Sequence, residues 1–162
     1  SRLPWGVLLL FGGGLSLAKA ASASGLSTWI GNSMVAWGGM PTILLLLAVV
    51  AVVVFLTEVT SNTATTATLL PLLAATAIAI GENPLLLCIP AALAASCAFM
   101  LPPATPPNAI VFGSGQVTIP QMARAGLWLN IVSIVALVIV SYLLAAPIFE
   151  IVPGQVPDWV AR

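Results

Sequence analysis

The residues with chemistry to offer are concentrated in one polar heptad, Thr57-Glu58-Val59-Thr60-Ser61-Asn62-Thr63, set between two long apolar runs. Its hydroxyls and amide can hold a small hard cation through neutral oxygens and can donate hydrogen bonds to an anionic carboxylate. Hydrocarbon tolerates such a cluster only where it faces protein or a water-filled cavity, because an unsatisfied polar group there costs several kcal/mol. A functional site is therefore the first reading.

A second interruption follows at Leu101-Pro102-Pro103-Ala104-Thr105-Pro106-Pro107-Asn108. A helical proline lacks the N–H that would bond the carbonyl four residues back, and its ring clashes with that carbonyl. The carbonyls of Ala98, Phe99, Pro102 and Pro103 are thus disturbed, and the helix must unwind. Apolar sequence resumes at Ala109 through Phe112, so the break can lie inside the membrane, where unwound backbone usually lines an ion or substrate site.

Composition narrows the class. Hydrophobic residues make up 60% of the 162-residue chain and charged ones 5%, against about a quarter in a soluble domain. The long runs lack the period-two alternation of barrel strands, leaving an all-α integral membrane protein. Four basic and four acidic residues cancel, so no basic footprint for nucleic acid exists. The absence of histidine removes the commonest general base and metal ligand. Cys88 and Cys97, nine residues apart on one expected helix, fall on roughly opposite faces and read as small buried hydrophobes.

The elements that must position the two interruptions read as follows. Residues 1–20 form a transmembrane helix, bracketed by Arg2 and Lys19, whose Gly12-Gly13-Gly14 permits close backbone approach. Residues 25–38, with Leu26, Ile30, Met34 and Trp37 at helical spacing, are too short and polar to span and read as an interfacial amphipathic helix. Residues 41–81 carry the heptad between two apolar arms, either as two spans with a polar external loop or as a hairpin whose tip stops within the bilayer. Residues 84–116 begin with a well-placed Pro84, continue as helix to Leu101 and are then broken by the prolines. Residues 120–149 form the last helix, whose apolar part from Ala125 to Ile148 would be roughly 36 Å long and must tilt. Within it Asn130 reads as an interhelical hydrogen-bond donor. Residues 150–162 form an exposed tail. Arg2 and Arg124 fall on one side of the membrane, Lys19 and Arg162 on the other, so the positive-inside count does not set the orientation.

On these grounds the chain is part of a secondary transporter. An intramembrane hydrolase built on Ser61 fails, since no histidine, nearby lysine or Gly-x-Ser-x-Gly elbow accompanies it. A passive channel is a further class, separable by saturable, counterflow-capable uptake. Glu58, a membrane carboxylate, keeps a proton-coupled anion permease as the alternative to cation coupling.

The Ser-Asn-Thr at 61–63 within its Thr-rich surroundings, together with Ala104-Thr105-Pro106-Pro107-Asn108-Ala109-Ile110-Val111-Phe112-Gly113, resembles the C-terminal half of the divalent anion:sodium symporter family, from Trp5 to about Leu144. The resemblance implies two inverted repeats of which this chain carries the second, a re-entrant hairpin at Pro41–Ile80, a broken helix at Pro84–Gly115, and a homodimer moving its transport domain by an elevator mechanism. It implies a plasma or inner membrane location, with lipid and the upstream half of the transporter as partners. It further implies that Ser61, Asn62, Thr63, Thr105 and Pro106 contact the anion, and that Thr57, Thr60, Asn62 and Ala104 hold sodium, largely through backbone oxygens. By the same resemblance sodium is the expected coupling ion, no cofactor is implied, and the expected substrate is a dicarboxylate or tricarboxylate such as succinate or citrate, or sulfate, among which the sequence does not choose.

The chain starts at Ser1 with a span almost at once and reads as a piece of a longer protein. The complete protein is expected to carry an upstream Ser-Asn-Thr on an oppositely oriented hairpin, because one repeat leaves the site without a facing half. Reading the upstream coding sequence checks this, and a region without the motif rejects the inverted-repeat architecture.

Overall fold

The computed structural model describes residues 5–26, 28, 29, 32 and 41–161, and among these every regular element is helical. Helix α1 spans Trp5–Ala23, α2 Thr42–Thr57, α3 Asn62–Ala79, α4 Pro84–Ala94, α5 Pro106–Gly113 and α6 Ile119–Val140. The last continues through a wider π turn at Ser141–Ala145 and ends at Ile148. Within the expected interfacial segment residues 26, 28, 29 and 32 are helical, and the remainder of that expectation lies outside the described residues.

Helix α2 is central, packing on both α4 and α6. Its Leu46, Val50 and Val54 are wholly buried against Leu86, Leu87 and Ala91 of α4 and Ile134 and Val138 of α6. Two glutamates in the links between helices tie the ends. At one end Thr42 Oγ1 donates to Glu82 Oε1 at 3.4 Å, and the Gly154 N–H donates to Glu82 Oε2 at 2.8 Å. At the other, Glu58 joins the end of α2 to the chain beyond α4 and to Asn130 of α6. These ties fix the directions: α3 and α6 run against α2, and α4 runs with it.

Local chemistry explains the turn between α3 and α4. Gly81, with φ of 79°, ends α3 in the left-handed region. The Glu82 and Gly81 N–H groups return to the carbonyls of Ala77 and Ile78, at 2.8 and 3.1 Å, in a Schellman motif. Asn83 then caps α4, its Oδ1 accepting from the Leu85 N–H at 2.9 Å, with Pro84 at the first helical position.

Two expectations are corrected. Helix α4 stops at Ala94 and not at Leu101, so the chain leaves helix well before the first proline, and Cys97 lies beyond the helix that holds Cys88. The N–H groups of Ala95, Ser96 and Cys97 close the helix end with bonds to the carbonyls of Ala91, Leu93 and Ala94, and a competing acceptor, described below, takes those of Phe99 to Leu101. The tail is exposed over most of its described length and is held at two points: Ile151 is buried in the core, and the Gly154 N–H donates to Glu82.

Helix α1 packs along α3, and among its glycines Gly14 makes the close backbone approach. Pro71 within α3 has no N–H to offer the Ala67 carbonyl four residues back. A Cβ on Gly14 would overlap that same carbonyl, whereas Gly12 and Gly13 have open space around theirs. Gly14→Ala should therefore destabilise the protein by about 1–3 kcal/mol, as overpacking does. Gly12→Ala should be neutral or stabilising by up to about 1 kcal/mol through helix propensity. Thermal unfolding of the two purified variants in detergent checks the contrast, and equal melting shifts would reject the Gly14 contact.

Candidate functional site

The site is assembled where the α2–α3 link, residues 58–61, meets the irregular stretch between α4 and α5. Glu58 forms the junction. Although only 4% exposed, its carboxylate accepts from the backbone N–H of Phe99 at 2.7 Å, of Met100 at 3.0 Å to each oxygen, and of Leu101 at 3.1 Å. Asn130 Nδ2 adds a bond of 2.8 Å from α6. Every partner is a donor, so the group is an acceptor throughout. Three successive N–H groups converging on one anion form a nest, and N–H groups so engaged are lost to the helix ladder. This is why helix does not continue to Leu101.

A trans peptide points its carbonyl opposite to its N–H. Holding the three N–H groups toward Glu58 therefore turns the carbonyls of Ala98, Phe99 and Met100 away from it. Asn108, itself buried, catches the first and closes the loop: its Nδ2 donates to the carbonyls of Ala98 and Leu101, both at 3.0 Å.

Thr57, buried at the end of α2, places its Oγ1 2.8 Å from the Ala95 carbonyl and 2.7 Å from Asn62 Oδ1. A hydroxyl has one proton and serves one of these acceptors at a time. With the proton on Ala95, the Asn62 contact is satisfied by an amide turned over to present its nitrogen, which leaves Oδ1 free. Thr60 is exposed; its Oγ1 donates to the Leu56 carbonyl at 2.8 Å and lies 2.6 Å from Thr65 Oγ1. Ser61 and Thr63 are exposed and make no side-chain hydrogen bond among the described residues.

The two helix starts at the site differ in what they offer. Ser61 does not cap α3 with its side chain, so the first N–H groups of α3 stay open to a ligand. Helix α5 begins with Pro106 and Pro107, which have no N–H, and Thr105 Oγ1 accepts the next one from Asn108 at 3.4 Å. Only the start of α3 presents backbone donors to an anion. Thr105 keeps its hydroxyl proton to donate, and Pro106 contributes an exposed ring face.

Of the residues expected to bind sodium, Thr57 and Asn62 are in direct contact, and Thr60 lies on the same link, facing Thr65. Ala104 is half-buried and its N–H donates to the Leu101 carbonyl at 3.2 Å. No hydrogen bond joins 104–106 directly to 57–63; the two segments are connected through Glu58. Among the described residues no three of His, Cys, Asp and Glu converge, so a cation here would meet carbonyl, hydroxyl and amide oxygens. Sequence reasoning identified Asn130 as a donor but missed three things: its acceptor, the bridging role of Asn108, and Gly126, where a Cβ would overlap the Phe99 backbone. A Thr-Pro-Pro-Asn run signals a capped helix start, and an isolated Gly one turn before a buried Asn signals a close approach; nothing local pairs either with 98–101.

The family described as the sodium:sulfate symporter transmembrane region matches residues 1–151. The sodium-dependent dicarboxylate transporter SdcS of Staphylococcus saprophyticus is 52% identical over 149 residues, covering 92% of this chain and 29% of that protein. Its namesake from Staphylococcus aureus strain USA300 is 54% identical over 141 residues, covering 87% and 27%. The chain thus spans less than a third of the length of these relatives.

Asn108→Ala removes the donors to the Ala98 and Leu101 carbonyls. It should cost about 2–4 kcal/mol, the sum of two buried acceptors left unpaired and partly rehydrated. Asn108→Asp should be worse, because it sets an acceptor against two acceptors. Chemical or thermal unfolding of the variants measures both, and an Asp variant as stable as wild type would reject the bridge.

Proposed function

Because the chain belongs to the sodium:sulfate symporter family, a family of membrane transporters and not of enzymes, we propose that the complete protein couples sodium entry to uptake of a divalent anion. A four-carbon dicarboxylate is the first candidate substrate, since the relatives are named sodium-dependent dicarboxylate transporters. The observation that carries this reading is the meeting of Thr57, Asn62 and the Ala95 carbonyl beside the open start of α3. Neutral oxygens there suit a small hard cation, and N–H groups at the positive end of a helix suit a carboxylate one residue away. Sodium bound at the former lowers the cost of bringing the anion to the latter, which is coupling by charge.

In this reading Ser61, Asn62, Thr63, Thr105 and Pro106 face the anion, and Thr57, Thr60, Asn62 and Ala104 face sodium. Helix α2, with 16 residues and roughly 24 Å of rise, falls short of a ~30 Å hydrocarbon core, which supports a re-entrant placement of the α2–α3 pair. Helices Asn62–Ala79 and Ile119–Ile148 are long and apolar enough to cross a membrane. The upstream half of the transporter supplies the facing part of the site, and a homodimer in the plasma membrane with elevator-type motion follows from the family pattern. No observation favours proton coupling: the Glu58 oxygens are already committed to N–H donors.

Uptake by the complete protein in liposomes should require sodium and fail when choline replaces it at constant pH; uptake that follows a proton gradient instead rejects sodium coupling. In the same system Asn62→Ala should weaken sodium and anion together, each by a factor of roughly ten to a hundred, the loss of one hydrogen bond to a charged partner. Two titrations check it, sodium at fixed anion and anion at saturating sodium. If saturating sodium restores wild-type anion affinity, Asn62 touches the ion alone.

A further inference from the structure

Helix α6 reaches the irregular segment with two residues one turn apart. At Gly126 a Cβ would overlap the Phe99 carbonyl and Met100 Cα, so α6 comes into backbone contact there. At Asn130, which is 0% exposed, Nδ2 donates to Glu58 Oε1 at 2.8 Å while Oδ1 has no partner. Packing alone does not account for an asparagine at this place. Leucine has nearly the same shape and would remove an unpaired buried oxygen, a change that is neutral or stabilising unless the amide N–H is needed.

We infer that Asn130 is a positioning residue for the sodium site, acting through the Glu58 carboxylate. Of the donors to that carboxylate, it is the one side chain; the others are backbone. Glu58 follows Thr57 directly in the chain, so the place of its carboxylate sets where the Thr57 hydroxyl meets Ala95 and Asn62. On its other side it fixes Leu101, whose carbonyl receives the Ala104 N–H. Both groups of candidate cation oxygens are therefore referred to one carboxylate, and Asn130 fixes it from a helix that gives no oxygen to the ion. The inference rests on the sodium-coupled reading above.

The test uses the complete transporter. Asn130→Leu should raise the half-saturating sodium concentration about tenfold, the loss of one hydrogen bond to a charged group, while the half-saturating anion concentration at saturating sodium changes less than about twofold. Hydrogen exchange at the Phe99–Leu101 amides, measured in detergent and independent of transport, should accelerate. Placed on Glu58→Gln, Asn130→Leu should add no further shift in sodium dependence, since a residue acting through another has nothing left to act on. Should Asn130→Leu not fold, Asn130→Ser, smaller and with its donor out of reach of Glu58, carries the same measurements. Unchanged sodium dependence in a folded variant, unchanged exchange, or a shift fully additive with Glu58→Gln each overturns the role of Asn130. Wild-type uptake that needs no sodium overturns the sodium-coupled reading itself.

Discussion

A buried carboxylate holding three successive peptide N–H groups is the constraint on which the rest of the structure depends. Glu58 is nearly inaccessible, and an ion taken out of water at that depth is costly unless its lone pairs are met by donors. They are met by Phe99, Met100, Leu101 and Asn130. The exchange is mutual, because N–H groups beyond the end of α4 would otherwise be unpaired in a low-dielectric setting. The link between α2 and α3 and the break after α4 each supply what the other lacks. The junction is therefore a hydrogen-bonded unit and not two loops that happen to touch.

The placement of small and neutral residues follows from that junction. For Asn130 to reach Glu58, α6 must lie against the Phe99–Met100 backbone, and Gly126 permits this where any Cβ would prevent it. The other linking glutamate, half-buried, shows how different a less enclosed version of the same device is. Glu82 receives one N–H from the tail at 2.8 Å and a long contact of 3.4 Å from Thr42. It ties three chain segments together but leaves their backbone ladders intact. Glu58, by contrast, diverts peptide groups that helix would otherwise use, and the fold loses a turn of α4 to form the site.

Much of this was legible in the sequence. The all-helical membrane class came from composition, the first interruption from a polar heptad between apolar runs, and the second from four prolines within eight residues. Asn130 stood out as a polar residue in an apolar helix and is indeed a donor across helices. The end of α4 was not legible, because the residues from Ala95 to Leu101 are good helix material and what unwinds them is a side chain 41 residues earlier. Proline rules act on the four preceding residues; a competing acceptor acts from anywhere in space. The bridge made by Asn108 was hidden for the same reason. Its amide answers carbonyls whose exposure exists only once the helix has ended. The open start of α3 and the closed start of α5 were, in retrospect, readable from the presence or absence of prolines at the first helical positions.

Proton counting at Thr57 links the structure to what two ligands of opposite charge would meet. The hydroxyl stands within hydrogen-bonding distance of two carbonyl oxygens, those of Ala95 and of the Asn62 amide as oriented, and has one proton for both. If it is given to Asn62, the Ala95 oxygen is released. If it is given to Ala95, Asn62 turns its nitrogen to Thr57 and releases Oδ1. One carbonyl oxygen is therefore left over in either arrangement, beside a helix start whose N–H groups are open. A cation satisfies that oxygen without proton exchange, and its charge then lies next to the donors an anion would use. Thr57 itself is 0% exposed, and Asn62 is half-buried. A neutral threonine placed between two acceptors thus leaves an oxygen that a cation would satisfy, while the neighbouring carboxylate of Glu58 is spent on holding the backbone in place.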